Sequence, residues 1–255
     1  MYDGYYEGKV ALVTGSATGM GRTTAIEFAR AGAKVIVADW NEAAGRATAD
    51  EIVQAGGDAH YVKVDVSKEA SVKAMVDKTV ELYGRLDCAF NNAGVMEESS
   101  NLAELEEDMW DRIVNVNMKG VWLCMKYELP VKVAQGKGAI VNTSSVNAFR
   151  ILPRCAAYTA SKFGVIGLTR TAAVEYGPMG IRVNAICPGA IMTPMMESAV
   201  VADPSRLERI KHTRPLGRAA DPIEIANSAL FLCSDLARHI TAHSLPVDGG
   251  YIGAA

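Results

Sequence analysis

Tyr158 and Lys162 stand four residues apart in a stretch, Tyr158 to Glu175, whose pattern predicts a helix. Residues four apart share a helix face, so a phenol and an ammonium meet there. A free tyrosine titrates near pH ~10 and is a poor base at neutrality. A neighbouring ammonium stabilises the phenolate and lowers that pKa, toward the range where proton transfer is efficient. Taken alone, such a pair is common on surface helices. A second pattern lies near the other end of the chain. Thr14-Gly15-Ser16-Ala17-Thr18-Gly19-Met20-Gly21 follows a β-branched run and opens a helical one. Glycines let the chain turn tightly and let a pyrophosphate approach the backbone, and the helix that starts there points free N–H groups at it. The strand-turn-helix context is what gives this glycine pattern its value. Asp39 follows Gly21 by 18 residues and ends the next predicted strand. A carboxylate there accepts hydrogen bonds from both hydroxyls of an adenosine ribose and repels a 2′-phosphate. No arginine or lysine stands at Ser16, Ala17, Thr18, Trp40 or Asn41 to receive such a phosphate, so NAD is expected over NADP. Asp65, in Val64-Asp65-Val66, falls at the end of a third strand, where it can meet the adenine amino group.

Short β-branched runs alternate with longer helical patterns. Strands are expected at Lys9 to Val13, Lys34 to Ala38, His60 to Val64, Leu86 to Phe90, Ala139 to Asn142, Arg182 to Ile186 and Leu245 to Val247. Helices are expected after Gly19, from Asn41 to Gln54, after a cap at Ser67, from Glu107 to Ala134 with Pro130 bending or ending it, and from Tyr158 to Glu175. A last helix is expected from Pro222 to Ser234, with proline in its first turn. This alternation predicts an α/β fold: a doubly wound parallel sheet, Rossmann-like, in three αβα layers. No linker, repeat or low-complexity tract interrupts it, so residues 1–255 are expected to form a single domain. Ligands of such sheets sit outside the carboxyl ends of the strands where strand order reverses, and the motifs above fall at those ends.

The chain has 255 residues, 49% of them hydrophobic, enough for one large core. A net charge of -3 supplies no global basic field for nucleic acid or an anionic membrane. Met1 to Gly8 lacks a basic region and an apolar run, so no secretory signal is expected, and no apolar stretch is long enough to span a bilayer. Cys88, Cys124, Cys155, Cys187 and Cys233 stand far apart, and the four histidines show no ligand spacing. These features predict no metal site and a reducing, cytoplasmic setting.

With Asn91-Asn92-Ala93-Gly94, Asn117 in Val116-Asn117-Met118, Ser145, Tyr158-x-x-x-Lys162, and Pro188-Gly189 followed by Thr193, the glycine turn completes a set of six spaced motifs. In this order they resemble the short-chain dehydrogenase/reductase family over nearly the whole chain. The resemblance implies that Tyr158 is the catalytic acid/base and Lys162 its partner, which also binds the nicotinamide ribose. It implies that Ser145 orients the substrate oxygen, with Ser144 the lesser candidate, and that Asn117 holds a proton-relay water. It further implies that Asn92, Ala93 and Gly94 lie against the cofactor, together with Gly15, Thr18, Gly19, Met20, Gly21, Asp39, Trp40, Asp65, Val66, Pro188 and Gly189. Ile191 and Thr193 would contact the nicotinamide carboxamide. Thr241-Ala242-His243 departs from the family's usual Thr-Gly before the last strand, which puts turn geometry and C-terminal packing there in question.

The expected activity is hydride transfer between NAD(H) and a secondary alcohol or ketone. A long insertion, residues 190–214, lies where lids occur. Its Met192, Met195 and Met196, with Met96, Asn147 and Cys155 near motif residues, are candidates to line the substrate pocket. Methionines adapt to irregular apolar shapes, which suggests a substrate with an apolar body. Packing of the lid on the core is the alternative use for them. Rival readings are a nucleotide-sugar epimerase or dehydratase, usually longer, an enoyl reductase, which usually spaces Tyr and Lys more widely, and a nucleotide-sensing protein without turnover. The apolar helices around Trp110 to Tyr127 and Tyr158 to Glu175, with the Leu245 to Ala255 tail, suggest symmetric pairing into a homotetramer.

Overall fold

The computed structural model describes residues 2, 4–96 and 99–254; Met1 and Ala255, the ends of the two terminal segments considered above, lie outside them. Seven strands form one parallel sheet: β1 Val10–Thr14, β2 Lys34–Asp39, β3 Asp58–Lys63, β4 Cys88–Asn91, β5 Gly138–Thr143, β6 Ile181–Pro188 and β7 Ser244–Val247. Their spatial order is β3-β2-β1-β4-β5-β6-β7. The order reverses between β1 and β4, which pair in register from Ala11 opposite Cys88 to Thr14 opposite Asn91. Ligand crevices open at such reversals. Strands covered on both faces carry unbroken apolar runs, and Val10 to Thr14 are all buried.

Helices α1 Gly19–Arg30, α2 Glu42–Gln54, α3 Glu69–Tyr83, α4 Glu107–Val114, α5 Gly120–Gln135, α6 Ala156–Tyr176, α7 Pro194–Ala202, α8 Ser205–Thr213 and α9 Pro222–Cys233 complete the fold. One core layer packs Phe28 of α1 and Ile225 and Leu230 of α9 against Val13, Val35 and Phe90. The opposite layer packs Met75 and Val76 of α3 and Leu123 of α5 against Leu12 and Ile36. The N-terminal segment, polar and aromatic in sequence, joins the first layer. Tyr6 is fully buried, stacks edge-on against Phe28, and donates its hydroxyl to the Leu230 carbonyl.

Three local expectations give way to different chemistry. Ser67 does not cap α3. Its backbone N–H and hydroxyl both donate to Asp65 Oδ1, and the helix begins at Glu69 with Lys68 at its N-cap and no side-chain cap bond. The long helix expected from Glu107 to Ala134 runs unbroken to Gln135, but one turn of it, Asn115–Lys119, is π rather than α. Pro130 does not end α5, which runs on to Gln135 before the left-handed Gly136. Pro130 lies on the exposed face, one turn after exposed Lys126, so the carbonyl it leaves without a donor meets water. The 190–214 insertion is largely helical, containing α7 and α8. At Thr241-Ala242 the structure answers the question the sequence raised. Ala242 adopts φ 59°, a conformation that costs an L-residue about 1–2 kcal/mol, yet its N–H still donates to the Val183 carbonyl and β7 pairs in register with β6.

Candidate active site

The crevice between β1 and β4 is built first by backbone. Gly15 and Gly19 have φ of 67° and 55°, and α1 starts at the second of them. A Cβ on Gly21 would sit 2.1 Å from the Gly15 carbonyl oxygen, and one on Gly15 would sit 2.8 Å from Ala93 Cα. The turn is therefore closed down on the loop after β4, and only glycine fits. Thr14 Oγ1 accepts the N–H groups of Asn92 at 3.0 Å and Ala93 at 3.2 Å, and Asn92 Nδ2 returns bonds to the Thr14 and Gly15 carbonyls. The two loops form one rigid floor.

A cleft of about 730 Å³ runs over this floor. It is lined by Gly15, Thr18, Gly19 and Met20 of the turn, by Asp39 and Trp40, by Asp65 and Val66, by Asn92, Ala93 and Gly94, and by Thr193 and Met195. These sequence candidates meet at one cleft, whose lining does not include Gly21, Tyr158 or Lys162. Asp39 is buried and its carboxylate is fixed, Oδ2 accepting the Ala17 N–H and Oδ1 the Asn41 N–H, each at 2.9 Å. Asp65 Oδ1 is engaged by Ser67. Trp40 is 75% exposed, an open flank of the cleft rather than a packed wall. Lys68 and Arg112 line the cleft as well; no motif or spacing marked them in the sequence. Backbone glycines that leave room for a pyrophosphate, a helix N-terminus and a fixed carboxylate at the second strand end together fit a dinucleotide.

Next to this floor, Lys162 is 3% exposed and its Nζ donates to the Thr143 carbonyl at 2.9 Å. Its Nζ lies 5.5 Å from the Tyr158 ring centre and beside Gly94. The Ser145 side chain hydrogen-bonds the Tyr158 phenol, and Ser145 Oγ accepts the Asn147 N–H at 3.2 Å. Ser144 Oγ instead donates to the Lys162 carbonyl at 2.8 Å, behind the site. The adjacent serines thus face opposite ways, and Ser145 is the one turned to Tyr158. Burial pushes the Lys162 ammonium down to about 8. Burial also pushes the Tyr158 phenol up, with the Ser145 hydrogen bond pulling the other way. In the protein alone burial is the larger of these two influences on Tyr158; the lowering expected from Lys162 acting together with an oxidised nicotinamide concerns the cofactor-bound state.

Asn117 is fully buried in the π-turn. Its Oδ1 accepts the Val95 N–H at 2.8 Å and its Nδ2 donates to the Val95 carbonyl at 2.9 Å. The side chain staples the loop after β4. The π-turn explains how Asn117 reaches inward from a surface helix, and such turns recur at functional sites. Among the remaining candidates, Cys155 and Asn147 are buried close to Tyr158 and Ser145. Met96 is 36% exposed and Met195 56%, while Met192 and Met196 are half-buried. Thr193 Oγ1 caps α7 by accepting the Met196 N–H. Pro188, Gly189 and Ile191 do not line the cleft. Pro188 pairs with Val247, Gly189 donates its N–H to Val247, and Ile191, 5% exposed, bridges to Ala220. The Ile191 carbonyl accepts the Thr193 N–H at 2.9 Å. Among the described residues no group of three His, Cys, Asp or Glu side chains is placed to hold a metal ion, and no helix is long and apolar enough to cross a membrane.

Residues 15–252 match a family model described as enoyl-(acyl carrier protein) reductase. A short chain dehydrogenase/reductase of Aspergillus oryzae is 44% identical over 96% of this chain and 95% of its own. A 2,5-dichloro-2,5-cyclohexadiene-1,4-diol dehydrogenase of Sphingobium indicum is 40% identical over 96% and 97%. The solved structure of a levodione reductase superposes with a TM-score of 0.94 at 38% identity, covering 98% of this chain and all of that one. The chain belongs to the short-chain dehydrogenase/reductase family of nicotinamide-dependent oxidoreductases, and its relatives include dehydrogenases and reductases named for alcohols and ketones.

Proposed function

We propose that the protein is an NAD(H)-dependent oxidoreductase that interconverts a secondary alcohol and a ketone on a carbocyclic, largely apolar substrate. The observation that carries this reading is the Ser145–Tyr158 hydrogen bond with buried Lys162 nearby, whose Nζ lies next to Gly94 of the cleft lining. The nicotinamide, when bound, supplies or accepts the hydride. The protein's own part is the proton. In reduction the Tyr158 phenol protonates the forming alkoxide, and in oxidation its phenolate takes the alcohol proton. Ser145 donates to the substrate oxygen where charge develops. The Lys162 ammonium, with one N–H held by Thr143, stabilises the phenolate and keeps two N–H groups for the ribose hydroxyls. Asn117 serves as a positioning residue through Val95.

The preference for NAD rests on Asp39, whose fixed carboxylate stands at the cleft wall and would repel a 2′-phosphate. The carbocyclic substrate is supported by the names of the diol dehydrogenase and the levodione reductase. Exposed Phe149 and Ile151, between Ser145 and Tyr158 in the chain, and the α7 methionines supply an apolar surround. We place the substrate lid at 190–214 on one domain spanning 1–255, in a cytoplasmic setting. The matching family description raises an enoyl reductase as a second reading, but Tyr158 and Lys162 lie closer together than that chemistry usually spaces them. We also propose a homotetramer. Trp110 and Trp122, on opposite sides of the π-turn, and Phe163 and Val174 of α6 are exposed, whereas Val165 and Ile166 go to the core. Light scattering at micromolar concentration should give about four times 27.2 kDa; a single-chain mass ends that proposal. Initial rates with NADH and NADPH over a panel of cyclic ketones and enoyl thioesters test the function. Turnover of the ketones with NADH supports it, and turnover of the enoyl thioesters alone overturns it.

A further inference from the structure

Asn147 occupies the short 3-10 turn Val146–Ala148 that follows β5. Its backbone N–H donates to Ser145 Oγ, the atom that also bonds the Tyr158 phenol. The residue is therefore tied to the pair that would hold the reacting oxygen. The residue is 3% exposed, and its Nδ2 is buried with no hydrogen-bond partner among the described residues. An amide N–H₂ left dry and unpaired destabilises the fold. A site that hydrogen-bonds its substrate leaves such a group unpaired whenever the substrate is absent, and discriminates strongly against analogues that fail to satisfy it.

We propose that Asn147 Nδ2 donates a hydrogen bond to a second oxygen of the substrate, so that the protein selects rings carrying two oxygens over rings carrying the reacting oxygen alone. The inference rests on the alcohol–ketone reading above and deepens it: Ser145 and Tyr158 hold the oxygen that reacts, and Asn147 holds one that does not. A hydroxyl or a carbonyl satisfies the amide equally, since both accept. An apolar substituent does not.

The probes are cyclohexanone, 2-hydroxycyclohexanone and 4-hydroxycyclohexanone, each reduced with NADH by the native protein, by Asn147→Leu and by Asn147→Asp. The native protein should favour at least one hydroxyketone over cyclohexanone in kcat/KM by about tenfold. Both variants lack the donor, and in both that ratio should collapse toward one. The thermal midpoint of ligand-free Asn147→Leu should not fall, because no bond within the protein is lost. A native ratio near one for both hydroxyketones, or a ratio that survives in the variants, overturns the assignment. A midpoint several degrees lower in Asn147→Leu overturns it too, by revealing a partner inside the protein. Absence of turnover with all three ketones overturns the ring-ketone reading itself, a result distinct from turnover without selectivity.

Discussion

Glu128 is expected to make the protein less stable as the pH rises from 5 to 8, and Glu128→Gln to remove that dependence. Glu128 is fully buried on α5, and its Oε2 accepts the Asn91 Nδ2 N–H at 3.1 Å. The other Asn91 hydrogen goes to Asn142 Oδ1 at 3.0 Å, and Asn142 Nδ2 donates to Thr169. Glu128 Oε1 and Asn91 Oδ1 are buried acceptors without donors among the described residues. A proton on Glu128 supplies a missing donor. Lys132, one turn along α5 and also fully buried, spends its ammonium on the Leu86 and Asp87 carbonyls, each at 3.1 Å. Burial pushes the Glu128 carboxyl up to about 7, against the pull of Lys132 and of the Asn91 hydrogen bond. Asp87, Cys88 and Cys233 face Lys132, and Cys124 faces Glu128.

A carboxyl raised in the folded state favours folding when neutral. Its contribution is complete below the unfolded value of 4.5 and is lost as the pH climbs through about 7. The shift corresponds to about 3 kcal/mol over that window. Glutamine keeps the shape, supplies an N–H donor and carries no charge. Urea unfolding at pH 5, 6, 7 and 8, at one protein concentration so that assembly is held constant, should show native stability falling by up to about 3 kcal/mol. The variant should be level across the range and more stable than the native protein at pH 8. A native profile without slope would refute the reasoning. So would a variant weaker at pH 8 by about 3–5 kcal/mol, the cost of stripping a buried charge of its partner, since Glu128 and Lys132 would then be an ion pair.

Asp39→Ala should raise the KM for NADH by at least about tenfold through lost charge-assisted hydrogen bonds and narrow the preference over NADPH; an unchanged cofactor ratio contradicts the role given to its carboxylate. Gly21→Ala drives a Cβ into the Gly15 carbonyl, so NADH affinity measured by fluorescence titration should fall by about 10² or more, at a cost of several kcal/mol to the turn; native affinity would mean the turn is not the phosphate cradle. Ala242→Gly relieves a left-handed alanine. Offset by the freedom glycine gains when unfolded, it should stabilise by up to about 1 kcal/mol and raise the thermal midpoint by a few degrees; a lowered midpoint would refute the strain.

The sheet was legible because its strands are apolar runs ended by turn residues, and the cleft because glycines and Asp39 fall at strand ends. What escaped did so for physical reasons. The π-turn at Asn115–Lys119 has the same residue types as the helix around it, so periodicity passes through unbroken. Glu128 and Lys132 are spaced i,i+4, a spacing equally compatible with a surface pair, and the packing of α5 turns both inward. Ser67 has the chemistry of a helix cap, but Asp65 captures it first. The spacing of Tyr158 and Lys162 reveals the neighbour but not the depth of burial, which pushes the phenol up in the protein alone. Pro188, Gly189 and Ile191 follow the family's pattern, yet their hydrogen bonds and bridge run to the C-terminal strand and to Ala220, a distinction that requires coordinates.

The central claim is that Tyr158 moves the proton in ketone reduction while the dinucleotide cleft binds independently of it. Tyr158→Phe keeps the ring and removes only the hydroxyl. Paired measurement of NADH affinity and of kcat with a ketone that the native protein reduces tests the claim directly. The account predicts NADH affinity within about threefold of native and kcat reduced by about 10²–10⁴, the range of general acid catalysis. A variant that binds NADH normally and retains most of its kcat would contradict it.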